Sequence, residues 1–386
     1  MTRCGPLPVG FDATSLEVEG RTGVGQYTAR LLEALIERQD KWRFRLLHCG
    51  RLRGRIPEGA ECPPASRLPN RTLWMQISLP LELSRLHLPL CHFTNFLAPL
   101  MTPCPYVVTI HDMSLFKFGS MHTRKSLWAV RSLLPTVARR AAAVISVSES
   151  ARRDIVAVLG VHPQRVEVIH EAPGAAFRVL DEPGECLRVS AAYDLREPFI
   201  LSVCTIQPRK NLRRLLAAFA RLVKEGRREQ MVFVGQLGWK YRALLREIEG
   251  MRLKDRVRIL GYVPDGDMPA IYSLAKVLAF PSLYEGFGLP IVEAMACGTP
   301  VLTSDCSSMP EVAGDAALLV DPSSSESIAE GLERILADDG LRTRLREAGL
   351  ARAAQFSWAR AAAETARLYE KIVRPSLIIK TQEPRL

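Results

Sequence analysis

The chain has 386 residues, 47% of them hydrophobic and 24% charged, with a formal net charge of +11. That length exceeds one ordinary domain and suits two, and the composition is that of a folded globular protein rather than a disordered or fibrous one. No charged-then-apolar leader opens the chain and no apolar run is long enough to span a bilayer, so neither a secretory signal nor a transmembrane helix is expected.

The nine cysteines form no Cys-x-x-Cys pair, and no histidines cluster at metal-ligand spacing. This points to a reducing, cytoplasmic setting and away from a structural zinc site. The charge is uneven. Residues 1–180 hold 23 Lys+Arg and 14 Asp+Glu, or +9; residues 181–386 hold 29 and 27, or +2. A basic half attracts phosphates, nucleic acid or anionic lipid, and equally serves solubility.

Taken in chain order, "GQYTARLLEALIER" reads as a helix with Leu31, Leu32, Leu35 and Ile36 on one side. "FRLLHCG", "LCHFTN", "YVVTIHD" and "AAVISVS" read as short buried strands. Residues 172–197 are rich in Gly, Pro and charge, lack a clear period, and read as a linker region. Beyond it, the strands "FILSVCT", "MVFVG", "VRILGYV", "KVLAFPS" and "PVLTSD" alternate with the helices "NLRRLLAAFARLVKEG", "KYRALLREIEGM", "MPAIYSLA", "PIVEAMACG" and "SESIAEGLERILADDG". Such alternation gives an α/β protein with parallel sheets and helices on both faces, here two Rossmann-like domains. The expected boundaries are 1–175 for the first domain, 176–197 for the linker, 198–360 for the second domain, and 361–386 for a last helix and tail.

The stretch "YEGFGLPIVEAMACGTPVL" sets Glu285 and Glu293 on either side of a Gly-Phe-Gly turn. Pro290 suits the first turn of a helix and Gly298 its end. The turn therefore lies at a strand's C-terminal edge, where open α/β sheets bind ligands, and the helix start there favours an anion such as a diphosphate. Carboxylates accept hydrogen bonds from vicinal hydroxyls such as those of ribose or a hexose. Two acids eight apart are common by chance; the strand-turn-helix filling between them is the informative part.

Arg209 and Lys210 follow the strand "FILSVCT" and precede a helix that Asn211 is expected to cap. Fixed cations there would stabilise a departing diphosphate, although a solvated surface pair reads equally well from sequence. Gly23 and Gly25 in "TGVGQY" form a partial glycine fingerprint with no third glycine at dinucleotide spacing and no strand directly before it, which argues against NAD. His111-Asp112 ends the strand "YVVTI"; Gly261-Tyr262-Val263 ends "VRIL". Ser146 and Glu149 read as helix-capping groups, and the "DGD" of Asp265–Asp267 as a helix cap rather than a metal motif. Between Met121 and Arg140, Arg124, Lys125, Arg131, Arg139 and Arg140 stand beside Leu127, Trp128, Leu133 and Leu134, a basic amphipathic stretch suited to an anionic membrane or simply to solvent.

"EGFGLPIVEAMACGTPVLTSD" resembles the donor-site signature of the retaining GT-B nucleotide-sugar glycosyltransferases, family four, in its bacterial polysaccharide mannosyltransferase-like branch. "ILSVCTIQPRKNLRRLLAAF" is similar to that family's phosphate-binding segment, and "GRTGVGQYTARLLEAL", "VTIHDMSLF", "VISVSESARRDI" and "FSWARAAAETARLYEKI" match further segments. Two departures stand out: "EAPGAAF" follows "RVEVIH" where relatives often carry Asn-Gly or Glu-Gly, and "CTIQPRKN" lacks a glycine before the arginine.

The resemblance implies a GT-B fold, with two domains facing a cleft and a C-terminal helix crossing back to the first. It implies that Glu293 binds the donor ribose, that Glu285 contacts or orients the transferred sugar, and that backbone around Phe287, Gly288 and Leu289 holds sugar and diphosphate. Arg209 and Lys210 would neutralise the diphosphate, and His111 would touch the transferred sugar. Backbone at Tyr262 and Val263 would hold the base; Gly23 and Gly25 would approach the donor phosphate or the acceptor. The implied reaction moves a hexose, with mannose from GDP-mannose the leading expectation, to a glycan or polyprenyl-linked acceptor with retention. It needs no metal or other cofactor and no nucleic acid, and takes place at the cytoplasmic face of the membrane. The rival readings are a nucleotide-sugar epimerase of the same architecture, a dehydrogenase, and a nucleic-acid binder.

Overall fold

A computed structural model describes residues 6–18, 23–38, 41–53, 56–66, 70–119, 124–180, 183–196, 198–238 and 241–380, with the side chains of 124–129 and 375–380 outside that description. The chain forms two compact units, one of residues 1–117, 124–171 and 358–386, the other of 118–123 and 172–357. Each is built on a six-stranded parallel sheet, as the alternation of strand and helix patterns leads one to expect.

In the first unit the strands are β1 (Leu7–Asp12), β2 (Trp42–Leu47), β3 (Leu90–Phe93), β4 (Tyr106–Ile110), β5 (Ala143–Ser146) and β6 (Val166–Val168), in the order β2-β1-β3-β4-β5-β6. β1 and β6 escape a reading by apolar runs: one opens on Leu-Pro, the other spans three residues. The helix Gly23–Glu37 buries Tyr27, Leu31, Leu32 and Leu35. It packs against the last helix, Trp358–Lys380, which returns to this unit. Tyr369 fastens that helix to the sheet: its hydroxyl lies 2.6 Å from His92 Nδ1, while His92 Nε2 lies 2.8 Å from Thr109 Oγ1. Burial, with the nearby His111, pushes the His92 pKa down to about 3, so this link stays uncharged. Lys371–Glu167 and Lys41–Glu370 pair at the surface.

In the second unit β7 (Phe199–Val203), β8 (Gln230–Val234), β9 (Val257–Gly261), β10 (Val277–Phe280), β11 (Val301–Ser304) and β12 (Leu318–Val320) run in the order β12-β11-β10-β7-β8-β9. The chain starts at the centre with β7, moves outward to β9, and returns on the other side with β10. The switch point therefore lies between β7 and β10, where an open sheet offers a crevice at its C-terminal edge. The helix Leu212–Lys224 covers one face with Leu212, Leu215, Leu216, Phe219 and Leu222, all buried at helical spacing. Each such side chain contributes roughly 1.5–3 kcal/mol.

Three local expectations need correction. Residues 176–197 are not a bare linker: they hold the helix Pro183–Ala192, whose Arg188 and the following Tyr193 both bond the carboxylate of Asp267. Asp267 stands at the N-cap of the helix Met268–Leu274 but spends its side chain on those two partners instead of capping. At Glu149–Leu159 the capping oxygen belongs to Ser148, which accepts from Ala151 N, whereas Ser146 donates to Ser148 O.

Candidate active site

The loops after β7 and β10 are neighbours because their strands are, and that adjacency gathers residues 75 positions apart. After β7 a single 3₁₀ turn, Pro208–Lys210, is closed by Asn211 in the left-handed region (φ 61°). Asn211 is the N-cap of Leu212–Lys224, yet its side chain does not cap. Its Nδ2 instead donates to Pro281 O and Pro322 O, at 2.9 and 2.7 Å, and so ties three loops together.

That turn aims both cations at Glu285. Lys210 Nζ donates to Glu285 Oε1 at 2.6 Å, and Arg209 Nη1 to Glu285 Oε2 at 3.1 Å and to Tyr284 O. Lys210 also sits 5.3 Å from the Phe280 ring centre. Arg209 and Glu285 are each only 7% exposed. Burial alone pushes the Glu285 carboxyl up, but Lys210 and Arg209 outweigh it and hold the group below the usual carboxylate range. The three side chains together carry a net charge of +1. Lys210 gives one of its three donors to Glu285, and a buried cationic excess is stabilised by an added anion.

The main chain that carries Glu285 is clamped by two serines. Ser307 Oγ accepts from Glu285 N at 3.2 Å and lies 2.6 Å from Glu285 O; Ser308 Oγ reaches Glu285 O and Phe287 O at 3.1 and 2.7 Å. Both serines precede the helix Met309–Ala313. The sequence reading missed this clamp, whose signal was Ser-Ser before Met-Pro.

Gly288 (φ 111°) is the N-cap of Leu289–Ala296, and a Cβ there would meet Ile291 Cδ1 at 3.1 Å. Pro290 lies in the first turn and Gly298 (φ 74°) follows the end, as expected. Phe287 turns its ring into the core against Phe356, with centroids 5.5 Å apart. Glu293 follows on the same helix, and the fully buried Tyr272 donates to its Oε2 at 2.8 Å. Burial and the adjacent Glu293 raise the Tyr272 pKa well above its ordinary value, so it remains a donor. Tyr272 was likewise not foreseen. Tyr262 follows β9 on the same sheet edge, half exposed, with Val263 buried beside it.

His111, Gly23 and Gly25 belong to the first unit. Gly23 opens the helix Gly23–Glu37 with open space around it, and Gly25 is buried two residues on. His111 Nδ1 lies 3.1 Å from Glu171 Oε1 and Nε2 2.9 Å from Thr94 O, and its ring meets Tyr27 edge-on at 4.7 Å. Glu171 opens the atypical "EAPGAAF" and was not foreseen as a partner. Asp112 accepts from Ser114 N at the start of the helix Ser114–Lys117. Of the basic stretch 121–140, Arg131 donates to Leu115 O and Phe116 O, Arg139 to Leu159 O and Arg140 to Leu100 O. The side chains of Arg124, Lys125, Leu127 and Trp128 lie outside the described residues.

Comparison with known proteins bears on both units. The family model described as "Glycosyltransferase Family 4" matches residues 21–172, and that of "Glycosyl transferases group 1" matches residues 187–352. The chain is 33% identical over 368 residues to the O-antigen chain mannosyltransferase B of Escherichia coli, covering 90% of this chain and 96% of that one. Among solved structures, a sucrose-phosphate synthase of Thermosynechococcus elongatus superposes with a TM-score of 0.78 at 20% identity, covering 96% and 100%. Anabaena HepE, solved in complex with UDP-glucose, superposes with a TM-score of 0.73 at 18% identity, covering 95% and 100%.

Proposed function

The chain belongs to the group 1, family 4 glycosyltransferases of the GT-B fold, and from that premise we propose that it moves a mannosyl residue from GDP-mannose to a glycan or polyprenyl-linked acceptor in surface polysaccharide synthesis, with retention at the anomeric carbon. One observation carries the donor half of this reading: buried Arg209 and half-buried Lys210 converge on Glu285 at the β7/β10 switch point, and the helix that follows carries Glu293, held by Tyr272. The sugar and acceptor class are supported by the likeness to an O-antigen mannosyltransferase. A sugar-nucleotide donor is further supported by the UDP-glucose complex of a protein with this fold.

In the proposed reaction Glu293, oriented by Tyr272, accepts from the ribose hydroxyls. Backbone at Phe287–Leu289 and the helix start there face the diphosphate, while backbone at Tyr262 and Val263 holds the base. As the glycosidic bond breaks, negative charge builds on the leaving diphosphate, and Lys210 and Arg209 stabilise it without having to reorganise. Glu285 keeps both cations in place and stays ionised. The acceptor hydroxyl attacks on the face from which the diphosphate leaves and gives its proton to it. In this reaction these cations supply the positive field in place of a metal ion.

Thermal denaturation against a panel of nucleoside diphosphates tests the donor assignment. At about a hundredfold excess over Kd a ligand adds about 2.7 kcal/mol, or roughly 5–10 °C for a unit of this size. One diphosphate is expected to produce such a shift, and Glu293→Ala to abolish it. An equal shift in the variant contradicts the ribose contact, and no shift with any nucleoside diphosphate contradicts the donor reading.

A further inference from the structure

Residues 71–86 of the first unit form one continuous helix with a π turn at its centre: Arg71–Leu73, Trp74–Ser78 and Leu79–Leu86. Trp74, Met75, Leu79 and Leu83 are buried in the unit. A helix that packs by one face ordinarily turns polar residues outward. This one instead presents Leu73, Ile77 and Leu81, which are 49%, 55% and 60% exposed. Their four-residue spacing would drift forward around an ideal α-helix of about 3.6 residues per turn. The wider π turn holds that drift back, so the three side chains form a straight ridge. Arg85, exposed and four residues beyond Leu81, extends it.

The ridge has a second edge. Gln76 donates through Nε2 to Ala98 O at 3.3 Å and accepts from Leu100 N at 3.0 Å, which fixes the next loop beside the helix. That loop carries Met101, 79% exposed. Arg140 donates to Leu100 O at 2.9 Å and places an exposed guanidinium at the outer side. Four large apolar side chains in contiguous elements, bordered by Arg85 and Arg140, are more than the scattered singles every surface shows.

We propose that this ridge docks on an anionic lipid bilayer, its apolar side chains entering the acyl boundary and its arginines meeting acidic headgroups; the purpose, access to a lipid-linked acceptor, rests on the function proposed above. Charge decides between lipid and a second copy of the chain. A two-fold contact through the same patch would bring the basic border of one copy onto the basic border of the other, whereas an anionic surface complements Arg85, Arg140 and the +9 of residues 1–180.

Co-sedimentation of the full chain with vesicles tests this, using phosphatidylcholine alone and an equal mixture of phosphatidylcholine and phosphatidylglycerol, without nucleotide or acceptor. Binding to the mixed vesicles is expected, weakening as salt is raised. The variant Leu73→Ser/Ile77→Ser/Leu81→Ser, altered only at exposed positions, should keep its thermal transition and lose binding by at least about tenfold. Arg85→Glu should weaken binding to mixed vesicles alone. No binding to either vesicle overturns the proposal, as does equal binding by the triple variant, or a native dimer that the triple variant dissolves. Vesicle binding needs no donor, so its failure leaves the transfer reading standing, and a failure to bind nucleoside diphosphate leaves this one standing.

Discussion

Replacement of Lys210 by alanine is expected to lower kcat by about 10²–10³, the usual loss for one preorganised group aimed at developing charge. Lys210 and Arg209 are held on Glu285 at 2.6 and 3.1 Å, so in the proposed reaction their positive field needs no reorganisation as the leaving diphosphate becomes more negative. Removing the ammonium leaves a buried carboxylate facing one cation. The forces that hold Glu285 below the usual carboxylate range then weaken, and its pKa moves up. Lys210→Arg is expected to restore only part of the rate, because a planar fork does not replace a compact point charge. Steady-state transfer assays with saturating acceptor measure this, with circular dichroism as the folding control. A variant within about threefold of native would place the chemistry elsewhere.

The second large effect is structural. Gly235→Ala is expected to cost the second unit about 3 kcal/mol or more, lowering its unfolding midpoint by roughly 6–12 °C. Gly235 closes β8 with φ at +133°, and a Cβ there would lie 2.0 Å from the carbonyl oxygen of Cys204. The obstacle is backbone, held by Cys204 N on Val234 O and Ile206 N on Gln236 O, both at 2.9 Å, and by Gly238 N on Ile206 O at 3.1 Å. The stretch cannot yield without displacing the segment that leads to Arg209 and Lys210, so donor binding should fall with stability. Gly23→Ala is the control: a Cβ there meets nothing within 4 Å, at the start of a helix, so stability should hold or rise slightly. Scanning calorimetry of both variants decides. Gly235→Ala unfolding with the native protein would mean that this close approach of loops does not constrain the site.

Much of this was legible in the residues. The strands of the second unit are apolar runs bounded by turn residues, and the helix Leu212–Lys224 carries its core at textual spacing 212, 215, 216, 219 and 222. Pro290 and Gly298 mark a helix's ends by chemistry alone. The pieces that escaped notice are those whose meaning depends on what they touch. β12 has three residues, and the helix Pro183–Ala192 is weakly patterned and is tied to the helix Met268–Leu274 through Asp267. Arg209, Lys210 and Glu285 each read as functional in sequence, but their meeting follows from β7 lying beside β10, which no local pattern encodes. Tyr272, Ser307, Ser308 and Glu171 act through one hydrogen-bond partner apiece or two, and a tyrosine, serine or glutamate carries no sign of its partner in sequence.

On the proposed reading the cations after β7 hold a diphosphate while Glu293 holds the ribose of the same nucleotide. Crystals grown with GDP-mannose test it most directly. The prediction is a diphosphate within hydrogen-bonding distance of Lys210 and Arg209, with the ribose hydroxyls on Glu293. A nucleotide bound with neither its phosphates on those cations nor its ribose on that carboxylate would contradict it.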